Sequence, residues 1–325
     1  MKSLRNGKPI VIAHRGASGL RPEHTLEGYA LAIRQGADFI EPDLVLTRDG
    51  VFVARHENEI SSTTNVADHP AFAARRATRT IDGAEVAGWF TEDFTLAELK
   101  TLRAKERIPL LRPDNAAFDG RFEIPTFEEI VTLAKAHGVG VYPETKHPSY
   151  FALIGLPMES RLVAQLHRHG WDSAESPVIL QSFEVNNLKA LHGMTGLRLI
   201  QLMERDGAPA DAATESYAAM TTPSGLAEVA TYAWGIGPNK AMVQDGDAAP
   251  TTLVADAHAV GLCVHPWTFR AENAFLPPSL RQGDEPSANG HLTDEIARYL
   301  ALGIDGFFTD FPATGAAARD AHHKE

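Results

Sequence analysis

Glu41 and Asp43 stand two residues apart in an apolar run, Asp38-Phe39-Ile40-Glu41-Pro42-Asp43-Leu44-Val45. On a β-strand that spacing points both side chains to the same side. Two unpaired carboxylates held together inside a fold repel strongly, and a bound cation resolves the conflict. Glu144, in Tyr142-Pro143-Glu144-Thr145-Lys146, can supply a third oxygen from a neighbouring strand. An all-carboxylate set suits one hard divalent cation, Ca2+ or Mg2+, better than zinc, which prefers His and Cys. The competing reading is a structural ion-pair network in which Arg15 and Lys146 neutralise the acids.

Two histidines, His14 and His56, also fall at the ends of β-like runs. Imidazole titrates near neutral pH, so such a pair can serve as general base and general acid. Arg15 is suited to bidentate contact with phosphate oxygens and Lys146 to a point-charge contact. Gln181, Gln201, His265 and Asp310 lie at further strand ends; Gln181, His265 and Trp267 are candidate substrate or phosphate contacts, and Trp267 and Phe269 can wall a pocket. Together these groups describe a site for in-line displacement at phosphorus. His24, His137, His167 and His169 lie on or next to expected helices and read as solvated or packing residues, and His322 and His323 as tail. Cys263, the single cysteine, excludes an intramolecular disulfide and reads as a small buried hydrophobe.

The elements that must position these groups alternate. Strands are expected at 9–13, 38–45, 139–143, 178–180, 197–203, 234–237, 262–265 and 305–309. Amphipathic helices fall between them, the first from Thr25 to Gln35 and the last from Thr293 to Leu302. Capping boxes at Thr95–Glu98 and Thr126–Glu129 mark two helix starts. Eight strands separated by helices predict an α/β chain folded as a (β/α)8 TIM barrel, a single catalytic domain over 1–325. The regular pattern breaks over 57–124, which reads as a mostly loop-like cap inserted after the second strand. At roughly 65 residues it is longer than an ordinary loop. A barrel also explains the placement of the reactive residues, because active sites assemble at the C-terminal ends of its strands.

The bulk numbers agree with a soluble globular protein with a sizeable core. The 325 residues are 44% hydrophobic with a net charge of −12. That charge, without any Lys/Arg stripe, disfavours a nucleic-acid partner. No apolar run approaches the ~18 residues of a membrane span, so no integral membrane segment is expected. The start, Met1 to Pro9, is short and polar and does not read as a signal peptide. The expected compartment is therefore the cytoplasm, or the periplasm or exterior if a leader has been removed.

The motifs resemble those of the glycerophosphodiester phosphodiesterases. His14-Arg15-Gly16-Ala17-Ser18-Gly19, Arg21-Pro22-Glu23-His24-Thr25, Gly36 to Leu44, Thr47-Arg48-Asp49-Gly50, Arg55-His56-Glu57, Tyr142 to Lys146, Gln181-Ser182-Phe183, His265 to Arg270 and Gly306 to Pro312 carry the likeness in order along nearly the whole chain. It is nearest to the bacterial periplasmic or secreted branch, which also has a long insertion after the second strand. The resemblance implies metal ligands at Glu41, Asp43 and Glu144, with Ca2+ slightly favoured. It implies catalytic roles for His14 and His56 and phosphate contacts from Arg15 and Lys146. The implied partner is a small glycerophosphodiester, cleaved to glycerol 3-phosphate and an alcohol. Two alternatives stand beside it: a lysophospholipase D-like enzyme on the same fold, and a catalytically silent phosphodiester-binding protein. In one departure, Ser61-Ser62-Thr63-Thr64-Asn65 stands where many relatives carry a basic residue.

Overall fold

The computed structural model describes residues 7–323, so the start of the polar segment Met1–Pro9 lies outside the described residues. Its strands, in chain order, are β1 (Ile10–His14), β2 (Phe39–Glu41), β3 (Asp43–Leu46), β4 (Phe52–Ala54), β5 (Ala77–Ile81), β6 (Ala84–Gly88), β7 (Gly140–Val141), β8 (Glu144–Thr145), β9 (Ile179–Ser182), β10 (Arg198–Met203), β11 (Gly235–Pro238), β12 (Cys263–Val264) and β13 (Gly306–Thr309). Parallel ladders run from β13 through β1 and β2 to β7, and from β3 through β8, β9, β10 and β11 to β12. The circle closes where Asp305 N–H donates to Val264 O at 3.0 Å and Phe308 N–H to Pro266 O at 3.1 Å. The architecture is a TIM barrel.

The second and third barrel staves are each split by a proline, Pro42 and Pro143, which has no N–H for the ladder. The carbonyls still serve: Glu144 N–H donates to Pro42 O and Gln181 N–H to Pro143 O, both at 3.0 Å. The third stave therefore runs on through Thr145, past its expected end, and sets Glu144 directly opposite Asp43.

Alternation along the strands sorts the core. Ile10, Ile12, Phe39, Tyr142, Ile179, Ile200, Leu202, Cys263 and Phe308 form one cluster, contributed from all round the circle, which fills the barrel. Val11, Ala13, Ile40, Leu180 and Leu199 face the other way, under the helices. Thr25 caps the helix Leu26–Arg34 and Thr126 caps Phe127–His137 with both arms of a capping box. A further helix, Pro312–His322, follows β13 and completes the outer ring, so His322 belongs to a helix and not to a tail. Arg319 ties it down through Asp38 Oδ2 at 2.6 Å, the same oxygen that accepts Val11 N–H.

The segment 57–124 is more ordered than its composition predicts. It carries short helices, including Leu96–Leu99 with the expected capping box, and the antiparallel hairpin β5–β6. The hairpin turns on Asp82 and Gly83, both at positive φ, the conformation that Asp-Gly favours in two-residue turns.

Candidate active site

His14 continues the inward row of Ile10 and Ile12, Glu41 that of Phe39, Glu144 that of Tyr142, and Gln181 that of Ile179. The rows are hydrocarbon below and ionisable at the C-terminal rim. One oxygen each from Glu41, Asp43 and Glu144 lies within 4.8 Å of the others. Glu41 is oriented from both sides, accepting Arg15 backbone N–H at 2.8 Å and Gln181 Nε2–H at 3.1 Å. The first contact needs an unusual backbone, since Arg15 (φ 58°) and Gly16 (φ 89°) are both left-handed. A Cβ on Gly16 would sit 2.9 Å from the Gly28 carbonyl carbon, so glycine is required at that turn. Asp43 lies behind the other two acids and is held by His24 Nε2 at 2.9 Å and Arg15 Nε at 3.2 Å.

Burial, then the charges of Asp43 and Glu144, push Glu41 well above the usual carboxylate range. Burial also lifts Glu144 to about 8, against the pull of Lys146 Nζ 3.0 Å away. Asp43, despite burial, is held well below its ordinary range by Lys146, His24 and Arg15. Three clustered acids, two of them reluctant to ionise, fit a divalent cation, whose charge reverses the push on Glu41 and Glu144. Gln181 Oε1, buried without a hydrogen-bond partner, adds a neutral oxygen beside them. The acidic cluster can hold a metal ion.

Both histidines line one cleft with Glu41 and Glu144. His14 Nδ1 donates to Asp310 Oδ1 at 2.6 Å, and His56 Nδ1 to Glu57 Oε1 at 2.7 Å. Burial, with Arg15 next, lowers His14 to about 4, and burial with Arg15 and Lys146 lowers His56 to about 3. Both rings are therefore neutral at pH 7, with Nδ1–H donating to a carboxylate and the Nε2 lone pair turned to the cleft, where that of His56 accepts from Lys146 Nζ at 3.4 Å. The cleft, of about 350 Å3, is bordered by Arg15, Lys146 and Arg270 as cations and by Phe183, Leu202, Trp267 and Phe308 as an apolar wall.

A profile of the Glycerophosphoryl diester phosphodiesterase family matches residues 14–314. The chain belongs to this family. It is 35% identical over 328 residues to a glycerophosphodiester phosphodiesterase of Arabidopsis thaliana, covering 95% of this chain and 86% of that one. It is 32% identical to the glycerophosphodiester phosphodiesterase of Haemophilus influenzae, covering 94% and 88%. Among solved structures, an Oleispira antarctica phosphodiesterase in complex with the product sn-glycerol-3-phosphate superposes with a TM-score of 0.64 at 22% identity, covering 98% of this chain and 100% of that one. As a member of the glycerophosphodiester phosphodiesterases, the chain is a phosphoric diester hydrolase.

Within this family member the structure brings His14, His56, Arg15, Lys146, Glu41, Glu144, Gln181 and Trp267 to one cleft, with Asp43 behind. His265 is not brought there. It points inward one layer lower, fully buried, with Nδ1 2.9 Å from the Tyr142 hydroxyl and its ring against Trp234. It packs inside the barrel and does not line the cleft. Gln201 faces out of the barrel, where its Oε1 accepts the Tyr232 hydroxyl at 2.9 Å. Sequence reasoning placed His24 among packing or solvated histidines, yet it holds Asp43. It also missed Glu23, which pairs with Arg15 at 3.0 Å, and the links from Arg112 and Arg270 to Asp310 at 2.6 and 2.9 Å. The motif segments contain Glu23, Arg270 and Asp310, but nothing in their spacing pairs them.

Proposed function

We propose that this phosphodiesterase converts glycerophosphodiesters, such as glycerophosphocholine or glycerophosphoethanolamine, to glycerol 3-phosphate and the free alcohol, with His14 and His56 exchanging protons. The observation that carries the reading is the pair of neutral, carboxylate-anchored imidazoles on one cleft with Arg15, Lys146 and the three clustered acids. Glu41, Asp43 and Glu144 would hold the divalent cation, Ca2+ or Mg2+, which when bound offsets charge on the phosphoryl oxygens. Arg15 and Lys146 bind the phosphate and fix its orientation. The glycerol 2-hydroxyl, deprotonated by the Nε2 of one histidine, forms a new bond to phosphorus. The bond from phosphorus to the alcohol breaks as the other histidine, which has taken a proton from solvent on Nε2 beside the bound phosphate anion, gives that proton to the departing oxygen. Water then opens the cyclic phosphate with the roles exchanged. The product-bound relative from Oleispira antarctica supports glycerol 3-phosphate as the end point. Trp267 and Phe183 would pack the carbon skeleton.

The test is release of glycerol 3-phosphate from glycerophosphocholine before and after exhaustive chelation, then with Ca2+ or Mg2+ restored. Activity is expected to vanish and return with one of the two ions. Turnover that survives complete chelation removes the metal from the proposal, and no release of glycerol 3-phosphate under any condition removes the substrate.

A further inference from the structure

The β5–β6 hairpin reaches across to the barrel rim. At its tip, Asp82 Oδ2 lies 2.6 Å from His147 Nδ1, and the other ring nitrogen, Nε2, lies 2.8 Å from Glu57 Oε2. Glu57 is the residue whose second oxygen, Oε1, anchors His56 Nδ1. An unbroken line of hydrogen bonds therefore runs Asp82, His147, Glu57, His56, and it ends at His56 Nδ1, on the ring whose other nitrogen, Nε2, faces the cleft.

We propose that His147 is a positioning residue that couples the inserted hairpin to His56, fixing the Glu57 carboxylate so that the His56 ring holds its proton on Nδ1 and presents Nε2 to the substrate. The inference rests on the reading of His56 as a proton-transfer group. Carboxylates only accept, so a ring with one at each nitrogen is satisfied only when both nitrogens carry protons. His147 is accordingly an imidazolium. The carboxylates of Asp82 and Glu57, working against burial and neighbouring Lys146, raise it to about 9. Two features show that this geometry is built. His147 adopts a left-handed backbone (φ 49°) where the rim turns into the helix Pro148–Leu153, and that turn aims its ring at the hairpin. The hairpin is separately tied to the same helix by Arg79, which donates to the Tyr150 hydroxyl at 2.9 Å and pairs with Glu92 at 3.1 Å. Docking of the cap therefore does not depend on Asp82, which leaves its contact with His147 free to orient.

The two amide substitutions separate positioning from mere tethering. In His147→Asn the amide nitrogen falls near the place of Nδ1, keeping the Asp82 arm and losing Glu57. In His147→Gln it falls near Nε2, keeping Glu57 and losing Asp82. Asn also tolerates a left-handed backbone, so its effect is not a strain effect. The expected result, with glycerophosphocholine as substrate and thermal melts confirming the fold, is a fall in kcat of roughly tenfold or more for H147N. A smaller fall is expected for H147Q, with KM unchanged in both. H147N at the wild-type kcat, H147Q as the worse of the two, or a loss confined to KM overturns the inference. A wild-type chain that releases no glycerol 3-phosphate overturns the proposed function itself, and this inference with it.

Discussion

The inside of the barrel has two layers built by the same alternation on the same strands, and they could hardly differ more. The lower layer, with Ile10, Ile12, Phe39, Ile179 and Ile200, is hydrocarbon. Two residues further along each strand, the upper layer holds His14, Glu41, Glu144 and Gln181, nearly all of it ionisable and nearly all of it buried. Position along the strand makes the difference. Below, an ionised group would meet mainly apolar atoms and no opposite charge, the Tyr142 hydroxyl and His265 being the polar groups there. At the rim, loops bring Arg15, Lys146, Arg112 and Arg270 within reach of the acids. The lower layer stabilises the fold through buried area. The upper layer holds like charges together, a cost that persists because the chemistry requires it.

The comparison breaks most severely if upper-layer changes leave activity intact. Replacing His14 or His56 by Ala is expected to lower kcat by about 10^2- to 10^4-fold, the usual worth of a general acid or base, while the thermal melt stays near that of the wild type. Glycerol 3-phosphate release and circular dichroism check the two halves of that statement. The converse substitution lies one step down the same strand. Ile12→Ala removes fully buried methyl and methylene groups and is expected to cost ~2–5 kcal/mol of stability, with kcat per folded molecule unchanged. Denaturant titration with an activity assay on the folded fraction decides it.

Glu41→Gln sharpens the contrast in a third way. It removes one of three crowded carboxylates but keeps an acceptor for Arg15 N–H. In metal-free protein the variant is expected to be more stable than the wild type, by ~1 kcal/mol or more, because a buried like-charge clash has gone. Its activity should nevertheless fall. A variant that is both less stable without metal and fully active would show that the acids are a structural network after all.

Much of this division was legible before any coordinates. The spacing of Glu41 and Asp43 and the strand-end positions of His14 and His56 follow from a period of two, and the Thr95 and Thr126 capping boxes are local signals. What escaped was of two kinds. Pairings across long separations have no sequence signature, so Asp310 could be placed on the rim but not assigned to His14, 296 positions away. The helix Pro312–His322 escaped because its Gly- and Ala-rich face packs closely on Thr309, Phe307 and Val11, and small residues carry little hydrophobic periodicity. The hairpin was different: Asp82-Gly83 between Ala77–Ile81 and Ala84–Gly88 is a turn signal that was present and not weighed. His265 failed for a reason the two layers explain. It follows directly on β12, which places it level with Tyr142 and not with Glu144.

That misplaced histidine supplies the mildest test. Burial in the hydrocarbon layer lowers His265 to about 4 from an ordinary value near 6.5. An unfolded chain therefore binds a proton there that the folded chain refuses, and stability falls as pH drops from about 6.5 toward 4. The loss reaches roughly 2–3 kcal/mol at the lower end, added to similar contributions from His14 and His56. His265→Asn, whose amide falls near the place of Nδ1 and can still meet the Tyr142 hydroxyl, is expected to match the wild type in activity and melting near pH 7.5. Its melting temperature should then decline less steeply with acid. An unchanged acid slope would mean that His265 is protonated in the folded barrel. A loss of activity at pH 7.5 would mean that the lower layer reaches the substrate, and the separation of the two layers would not stand.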